Sequence, residues 1–538
     1  MPSTLNQWSL KRIVVRREPQ VRSINHNIPQ LTTRRRLLKG VAALGAARIL
    51  GGAGSAASRD RRPPNILFLL ADDLRFDGVG YANKDVYTPN LDQLVQGGVR
   101  FHNMFVTTAI CCTSRASIFT GAYARRHGVW DFSTKIPATL LKYSYPALLR
   151  GAGYRTGFFG KYGVGDYQLG DDMGDGVGPM PNVPPEDRAS FDEIEDFDRY
   201  YAPGDGQRKH HNNTMIADRA ERFIHESPVD QPFCLSLSFK APHVSEPMDL
   251  LMGPYAAEHD ILQIYATKIF TEGPVVVDEV AANDEGVWDI FTEAPQVKHA
   301  GAFNTLPEYL RTSENRRRWL ERFSSPWLWQ DSLRKYYALV TGLDRAIGRI
   351  MAALAHKGVA DNTVVIFTSD NGVFLGDYGL ADKQYGYEAS IRVPLMIRPV
   401  EMPAVQDVSA AVLNIDLAPT ILALAGVSVP DTMSGRDLSP LWAGRRLPQL
   451  WRTDFLYEHY LAGLNGPPSI WEKLIPSSEG VRNERYTYLR YPRQKGENEQ
   501  LFDRVADPHE LKNIVQTAPA ELVERLRKRT SELIAQNA

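Results

Sequence analysis

Short apolar segments alternate with amphipathic segments over most of this 538-residue chain. Continuously apolar runs, as expected for strands buried on both faces, cover residues 65–73, 232–239, 363–372 and 393–399, and 144–163 reads as helix, glycine turn and strand. Helical spacing covers residues 88–98, 214–227, 331–357 and 416–427. The alternation predicts an α/β fold with a large, mostly parallel sheet sandwiched by helices.

The last part of the chain has a different pattern. Residues 484–492 and 499–508 predict short antiparallel strands joined by a polar turn, and a helix is expected at about 518–536. The sequence therefore predicts a catalytic α/β domain over residues 58–450 and a smaller C-terminal α+β subdomain over 451–538.

The first 57 residues predict an export signal behind a basic leader. Residues 1–39 are rich in arginine and contain one acidic residue, Glu18, and the run Thr33–Lys39 (TRRRLLK) resembles the twin-arginine export motif of bacteria. A weakly apolar stretch follows and ends in small residues around Ser55. We therefore expect an exported protein, periplasmic or extracellular, with an organelle transit peptide as the alternative. No later segment reaches the roughly 18 apolar residues of a membrane span.

Charge and cysteine content exclude several classes. The formal net charge is −1, which gives no general attraction to nucleic acid. Three cysteines in 538 residues are too few for a disulfide framework, and no C-x-x-C pair predicts a zinc site. The adjacent Cys111 and Cys112 are therefore either small buried side chains or include a reactive thiol.

Oxygen donors follow two of the predicted strands. Asp72 and Asp73 end the first strand, and Asp370 and Asn371 end the strand at 363–372. Carboxylate and amide oxygens suit a hard divalent cation, and ligands of open α/β sheets lie at the carboxyl ends of strands. The alternative is that each pair only caps a helix or forms a turn.

Basic side chains are expected near the same edge. The stretch CCTSRASIFTG (111–121) predicts a helix start whose free N–H groups, with Arg115, favour an anion. Lys161, His243 and Lys383 also lie beyond predicted strand ends. Taken singly, each of these lysines would be a solvated surface group and the histidine a structural one.

These motifs resemble those of the type I sulfatases of the alkaline phosphatase superfamily. The family signature is Cys-x-Pro/Ala-Ser-Arg followed by x-x-x-Leu-Thr-Gly, and Cys111–Gly121 matches it with Thr113 for Pro or Ala and Phe119 for Leu. The resemblance spans about residues 64 to 515, through PNILFLLADDLR, TPNLDQL, GKYG, PHVSEP, TVVIFTSDNG, YEASIRVPLMI and LFDRVADPHELKN.

The resemblance implies a sulfatase that hydrolyses sulfate esters of carbohydrates or aryl alcohols. Cys111 would be converted to formylglycine by a formylglycine-generating enzyme, and the hydrated aldehyde would supply the nucleophile, while Cys112 only packs. One Ca²⁺ would be held by Asp72, Asp73, Asp370 and Asn371. The sulfate would be surrounded by Arg115, Lys161, His243 and Lys383, with His243 and Lys383 acting on the leaving oxygen.

One departure leaves the base unassigned. Many family members have a histidine in the segment after the third strand, where this chain has Gly163, and His127 is the candidate replacement or a structural contact at a helix end. Two other functions stay open: a phosphonate or phosphodiester hydrolase of the same superfamily, and a non-catalytic sulfated-glycan-binding protein if Thr113 prevents conversion of Cys111. Aromatic residues that either stack on sugars or belong to the core are Tyr265, Phe270, Trp288, Trp319, Trp327 and Trp329.

Overall fold

The computed structural model describes residues 62–165, 183–201, 210–245, 253–270, 300–401, 403–444, 451–461, 463–464, 470–496 and 498–538. The twin-arginine-like segment and Trp288 lie outside these residues. Within the described residues, no helix combines the length and hydropathy that crossing a membrane requires.

The strands, in chain order, are β1 (Asn65–Asp72), β2 (Val99–Phe105), β3 (Arg155–Gly160), β4 (Glu193–Glu195), β5 (Phe233–Pro242), β6 (Thr363–Ser369), β7 (Phe374–Leu375), β8 (Ala381–Asp382), β9 (Arg392–Arg398), β10 (Asp407–Val408), β11 (Val412–Leu413), β12 (Asp454–His459), β13 (Ser478–Asn483), β14 (Tyr486–Arg490) and β15 (Glu499–Asp503).

The helices are α1 (Pro89–Gln96), α2 (Cys111–Thr120), α3 (Ala124–His127), α4 (Ala138–Leu141), α5 (Tyr145–Gly151), α6 (Pro185–Arg188), α7 (Asn212–Glu226), α8 (His259–Leu262), α9 (Ala300–Thr305), α10 (Glu308–Arg311), α11 (Glu314–Arg322), α12 (Pro326–Lys357), α13 (Glu388–Ile391), α14 (Leu417–Leu424), α15 (Ser439–Trp442), α16 (Ile470–Leu474) and α17 (Ala520–Asn537). Short 3-10 helices cover Gln263–Tyr265, Ala360–Asn362, Asp377–Gly379 and Asn414–Asp416.

The large sheet has the strand order β10-β2-β9-β6-β1-β5-β3-β4, with β11 also paired to β2. The pairs β6–β1, β1–β5, β5–β3 and β3–β4 are all parallel. Strand β9 runs antiparallel to both of its neighbours, β2 and β6. The predicted mostly parallel sheet is confirmed, and its antiparallel member is the segment predicted at 393–399.

Both faces of the sheet are covered. Along β1, Ile66, Phe68 and Leu70 pack into one apolar layer together with residues of α2, α5 and α14. Leu67 and Leu69 alternate with them and pack into the opposite layer, with residues of α1, α7 and α12. The two-sided burial explains why β1 is a continuous apolar run rather than an alternating one.

The long helix α12 has clear boundary signals. Pro326 occupies its first turn, and the Ser325 hydroxyl accepts a hydrogen bond from the Leu328 amide at 3.2 Å. Gly358 ends the helix in the left-handed conformation at φ 74°. Helix α12 therefore begins five residues before the predicted start at 331 and ends at the predicted Lys357.

A second, antiparallel sheet with the order β12-β13-β14-β15 forms the C-terminal part, beside helix α17. The predicted strands at 484–492 and 499–508 correspond to β14 and β15, whereas β12 and β13 were not predicted. Strand β2 of the large sheet was also missed. The division at residue 450 stays a prediction.

Candidate active site

Four parallel strands end at one edge of the large sheet and carry the predicted site residues there. Ala71 of β1 pairs with Ser369 of β6, so Asp72 and Asp370 come next in register. Strand β5 ends at Pro242, directly before His243, and β3 ends at Gly160, directly before Lys161. The order of the strands thus brings together residues that are far apart in the chain.

The backbone joins the two oxygen-rich strand ends. The Asp370 amide donates to Ala71 O at 3.1 Å, and the Asp73 amide donates to Asp370 Oδ1 at 3.2 Å. Asp73 has a left-handed backbone at φ 65°, a conformation that costs free energy for a residue with a Cβ atom. This turn places the two consecutive aspartates in the same cluster as Asp370.

Helix α2 supplies the cysteine and the arginine of the signature. All ten residues from Cys111 to Thr120 are buried, and Gly121 ends the helix at φ 63°. Phe119 stacks between Tyr145 and Tyr162, with ring centroids 5.9 and 5.4 Å away. The replacement of leucine by Phe119 is therefore accommodated by an aromatic cluster, which contributes to holding the helix in place.

Arg115 lies at the centre of the cluster and is fully buried. Its guanidinium is 2.9 Å from Asp370 Oδ2 and 3.4 Å from Asp72 Oδ2. It also donates to the Lys161 carbonyl at 2.5 Å and to the Ser238 hydroxyl. No pattern in the sequence indicates a role for Ser238, because it occupies an ordinary strand position.

Two lysines flank the same carboxylates. Lys161 Nζ is 2.6 Å from Asp72 Oδ2 and 4.0 Å from Asp198, which in turn binds Lys240 at 2.9 Å. Lys383 Nζ pairs with Asp73 and lies 3.1 Å from Cys111 Sγ. Sequence reasoning missed the buried pair Asp198–Lys240.

Cys111 and His243 complete the cluster. Cys111 Sγ is 3.3 Å from Asp72 Oδ1, and His243 Nε2 is 3.6 Å from Asp73 Oδ2. His243 Nδ1 is 2.7 Å from the Val244 carbonyl, and because a carbonyl only accepts, this nitrogen carries a proton. The opposite ring nitrogen, Nε2, therefore faces the carboxylates.

Burial and mutual charge set the ionisation of these groups. Burial and the Asp72 and Asp370 carboxylates raise the pKa of Asp73 to about 7, against the opposing effect of the Lys383 ammonium. Burial also acts to raise the pKa of Asp72, but the surrounding cations, Lys161 foremost, hold it well below its usual range. Burial and Asp72 raise the pKa of the Cys111 thiol well above its usual range. The unmodified thiol is therefore a poor nucleophile here.

The donors fit a hard divalent cation. Asn371 is fully buried, and its Oδ1 has no hydrogen-bond partner among the described residues. Asn371 Nδ2 donates a hydrogen bond to Asp73 Oδ1, so the amide lies beside the carboxylate cluster. Asp72 and Asp370 both pair with Arg115, and Asp73 pairs with Lys383, because the three carboxylates repel one another unless cations intervene. Ligand atoms of Asp72, Asp73, Cys111 and His243 also lie within 4.8 Å of one another, but the Lys383 ammonium beside Cys111 disfavours a metal at the sulfur.

A side chain at position 163 would be strained and would crowd Arg115. A Cβ atom there would lie 3.1 Å from Arg115 Cδ, and the backbone is left-handed at φ 71°. His127 does not replace a histidine at this position, because its two ring nitrogens are bound by Ser117 Oγ at 3.0 Å and by the Val129 amide at 3.1 Å. Burial lowers the pKa of His127 to about 3. The structure thus favours the structural alternative for His127.

The described aromatic residues of the segment 245–330 belong mostly to the core. Tyr265, Phe270, Trp319 and Trp329 are buried, whereas Trp327 is 68% exposed. Four of them therefore contribute to packing rather than to a sugar-binding surface.

The fold and the site define an α/β protein that gathers buried carboxylates and cations beside a cysteine at a helix start. A family model for sulfatases matches residues 64–427, and a model described as N-sulphoglucosamine sulphohydrolase, C-terminal, matches residues 376–536. The chain belongs to the sulfatase family and is a sulfuric ester hydrolase.

Individual relatives agree with this assignment. An N-acetylglucosamine-6-O-sulfatase of Bacteroides thetaiotaomicron is 28% identical over 510 residues, which cover 87% of this chain and 86% of the relative. A protein solved in complex with its substrate D-glucosamine-2-N,6-O-disulfate has a TM-score of 0.67 at 26% identity, with 88% of this chain and 98% of that chain covered. A phosphonate monoester hydrolase from Silicibacter pomeroyi has a TM-score of 0.64 at 22% identity, covering 88% and 96%, which shows a shared fold only.

Proposed function

We propose that this sulfatase is a formylglycine-dependent, calcium-containing enzyme that removes sulfate from a sulfated amino sugar. The observation that carries the proposal is the position of Cys111. Its sulfur lies at the start of a buried helix, 3.3 Å from Asp72 Oδ1 and 3.1 Å from Lys383 Nζ, inside a cluster of cations. A nucleophile at this atom would meet an anionic ester whose charge is already compensated.

Residue 111 must be modified for this chemistry. Burial and Asp72 keep the thiol protonated, so unmodified Cys111 supplies little thiolate. Formylglycine at this position supplies, when hydrated, one hydroxyl that attacks sulfur and a second whose loss of a proton releases sulfate. Helix α2 fixes the atom that carries these hydroxyls, and the formylglycine-generating enzyme is the partner that conversion requires.

The cation would be Ca²⁺, held by oxygens of Asp72, Asp73, Asp370 and Asn371. Support comes from the buried Asn371 Oδ1, which has no hydrogen-bond partner within the described part of the chain, and from the convergence of three carboxylates. Calcium would act as a Lewis acid on a sulfate oxygen. The charges of Arg115, Lys161 and Lys383 balance those of the three carboxylates, so a dication leaves the site positive for an anionic substrate.

The remaining side chains divide between holding sulfate and acting on the leaving oxygen. Arg115 and Lys161 are fixed by Asp370 and Asp72, so little reorganisation is needed when charge moves onto the sulfate oxygens. His243 Nε2 and Lys383 Nζ both face Asp73. Because His243 Nδ1 already carries a proton, Nε2 donates only when the ring is the imidazolium, and in that form it joins Lys383 as a candidate donor to the departing alcohol.

The substrate class rests on the relatives. One is named as an N-acetylglucosamine-6-O-sulfatase, and another was solved with D-glucosamine-2-N,6-O-disulfate as its substrate. We therefore assign a glucosamine residue sulfated at O6 as the substrate, rather than a simple aryl sulfate.

Sulfate release tests the proposal directly. Purified enzyme would be incubated with glucosamine carrying sulfate at N, at O3 or at O6, with 4-nitrophenyl sulfate, and with the matching aryl phosphonate. We expect the 6-O-sulfated sugar to have the highest kcat/KM. Preference for the phosphonate would support the phosphonate hydrolase alternative instead. An aldehyde-specific probe that does not label residue 111 would support the non-catalytic glycan-binding alternative.

The localisation is also part of the proposal. The leader with Arg34 and Arg35 predicts export through the twin-arginine pathway to the periplasm or beyond. Fusion of residues 1–57 to a reporter should export it, and Arg34→Lys with Arg35→Lys should retain it in the cytoplasm. Export of both fusions alike would contradict the twin-arginine assignment.

A further inference from the structure

The turn that carries Lys383 has an unusual backbone. Asp382 and Gln384, on either side of Lys383, both have left-handed conformations, with φ of 65° and 79°. Residues with a Cβ atom adopt this region at a cost in free energy, and such conformations persist when surrounding contacts impose them. The turn from Ala381 to Gln384 therefore needs support from outside itself.

Helix α11 provides that support through one buried amide. Asn315 Nδ2 lies 2.7 Å from the Ala381 carbonyl, 2.8 Å from the Lys383 carbonyl and 2.9 Å from Gln384 Oε1. Asn315 is 1% exposed, so these polar groups have no access to bulk water. One side-chain amide thus binds three acceptors in the turn, and its loss would remove a hydrogen-bond donor from each of these buried groups.

The same helix also holds the residue before Lys383. Arg318 and Arg322 both pair with the carboxylate of Asp382, one with each oxygen. Asp382 is buried, and these two guanidinium groups hold the pKa of its carboxyl well below its usual range despite burial. The ion pairs fix Asp382 towards α11, while the ammonium of the next residue contacts Asp73 and Cys111.

The far side of the turn is tied to the helix that begins at Cys111. The Gln384 amide donates to the Ala109 carbonyl at 3.1 Å, and the Tyr457 hydroxyl donates to the Gln384 carbonyl at 2.8 Å. The Lys383 amide donates to Gln384 Oε1 at 3.1 Å. The turn is therefore bound between α11 on one side and the segment leading to Cys111 on the other.

We propose that Asn315, Arg318 and Arg322 of helix α11 are positioning residues that hold the Lys383 ammonium beside the side chain at position 111. In this position the ammonium donates a hydrogen bond to the leaving oxygen of the sulfate ester. The inference rests on the proposed function for the role of Lys383, but the positioning itself is independent of it. The three residues act through the turn, because Asn315 binds its backbone and Arg318 and Arg322 bind Asp382.

The dependence of kcat/KM on the leaving group distinguishes positioning of Lys383 from a purely structural role, because a general loss of stability would not change that dependence. If Lys383 loses its position, charge on the leaving oxygen is less compensated, and esters of weakly acidic alcohols suffer most. We expect Asn315→Ala to lower kcat/KM about a hundredfold for the poorest leaving group in a series of aryl sulfates, the scale of a misplaced catalytic group. The loss in kcat/KM should shrink to about threefold or less for the best leaving group. A plot of log kcat/KM against the pKa of the leaving group should therefore be steeper for the variant than for the wild type.

A double-mutant cycle identifies the residue through which Asn315 acts. In a Lys383→Met background, Asn315→Ala should cause little further loss, because both changes remove the same contribution. Equal losses in the two backgrounds would overturn the proposal, as would a loss that is uniform across leaving groups. Arg317→Ala is the matched control, because Arg317 lies on the same helix with its side chain 56% exposed and pairs with Glu314 and Glu321.

A crystal structure of Asn315→Ala separates this inference from the proposed function. Displacement of Lys383 Nζ from Asp73 and from position 111 is expected. Unchanged contacts would overturn the positioning claim, whatever the activity. Wild-type enzyme that releases no sulfate from any ester would refute the proposed function, while the crystal structure would still decide the positioning claim. Asp382→Asn is the second variant, with thermal unfolding measured on both, should Asn315→Ala fail to fold.

Discussion

The Lys383 ammonium lies 3.1 Å from Cys111 Sγ, although 272 positions separate the two residues. Cys112, next in the chain, is also buried, and its sulfur lies 3.7 Å from the Thr113 hydroxyl. Of these two neighbours, Cys111 is the one whose sulfur contacts both a carboxylate, Asp72, and the lysine.

The first prediction separates these cysteines. Cys111→Ala should eliminate turnover, because no aldehyde can form at that position, whereas Cys112→Ala should keep most activity and lose about 1 kcal/mol of stability from a small cavity. Peptide mass spectrometry of active enzyme should find the aldehyde at 111 and an unmodified thiol at 112. Modification at 112, or an active Cys111→Ala variant, would disprove the assignment of the nucleophile.

The second prediction concerns the cation. Asp370→Ala should remove bound calcium and abolish activity, because Asp370 is one of three converging carboxylates and pairs with Arg115. Metal content measured by atomic spectroscopy should fall to zero in this variant. Asp361→Ala, an exposed position just before the same strand, is the control and should retain both metal and activity. Zinc as the native ion would contradict the proposal.

The third prediction tests Lys161. Lys161→Met preserves the length of the side chain and removes its charge beside Asp72, and should lower kcat/KM by at least about a hundredfold, the scale for one preorganised charge. Lys135→Met is the control, because Lys135 is half exposed and pairs with Glu186 at the surface. Near-normal kinetics of Lys161→Met would exclude this lysine from sulfate binding.

The fourth prediction addresses the glycine where many sulfatases have a histidine. Gly163→His should lower both activity and Tm rather than supply a base, because its Cβ would lie 3.1 Å from Arg115 Cδ at a positive φ. The left-handed conformation alone costs about 1–2 kcal/mol for a residue with a Cβ atom. Gly153→His, also left-handed but with nothing within 4 Å of its Cβ, is the control for the backbone effect. A gain in kcat would show that the site can accept the histidine.

The fifth prediction concerns stability and pH. Burial and the Glu388 carboxylate raise the pKa of Glu510 to about 7, and Glu510 accepts hydrogen bonds from the Glu388 amide and the Thr487 hydroxyl. Between pH 4.5 and 7 the native state keeps a proton that the unfolded state has released, so the free energy of unfolding falls as pH rises.

Glu510→Gln replaces the titrating carboxyl by an amide that stays neutral. The free energy of unfolding of this variant minus that of the wild type should therefore increase with pH between pH 4.5 and 7. Urea unfolding at several pH values measures the difference. Parallel curves for the two proteins would show that Glu510 does not titrate as expected.

The sequence by itself determined the fold class, several of the long strands and helices, and which polar residues follow the ends of the parallel strands. The apolar runs at 65–73 and 363–372 predicted buried strands, and the polar residues that end them are the carboxylates found together at the sheet edge. This succeeded because parallel strands buried on both faces show as continuous apolar segments, and because their carboxyl ends meet at one edge.

Only the tertiary structure decided which side chains contact one another. Strand β2 was missed because its apolar alternation breaks at His102 and Asn103, where the pairing with β9 shifts register, and the direction of β9 cannot be read from its composition. The roles of Ser238, Asp198 and Asn315 could not be predicted from the sequence. A single hydroxyl, carboxylate or amide shows the same local pattern whether or not its side chain faces the site. His127 was separated from the catalytic groups by its two bonds to Ser117 and Val129. Local sequence sets the apolar periodicity of each helix or strand, whereas long-range packing sets the distances between side chains. Catalysis depends on those distances.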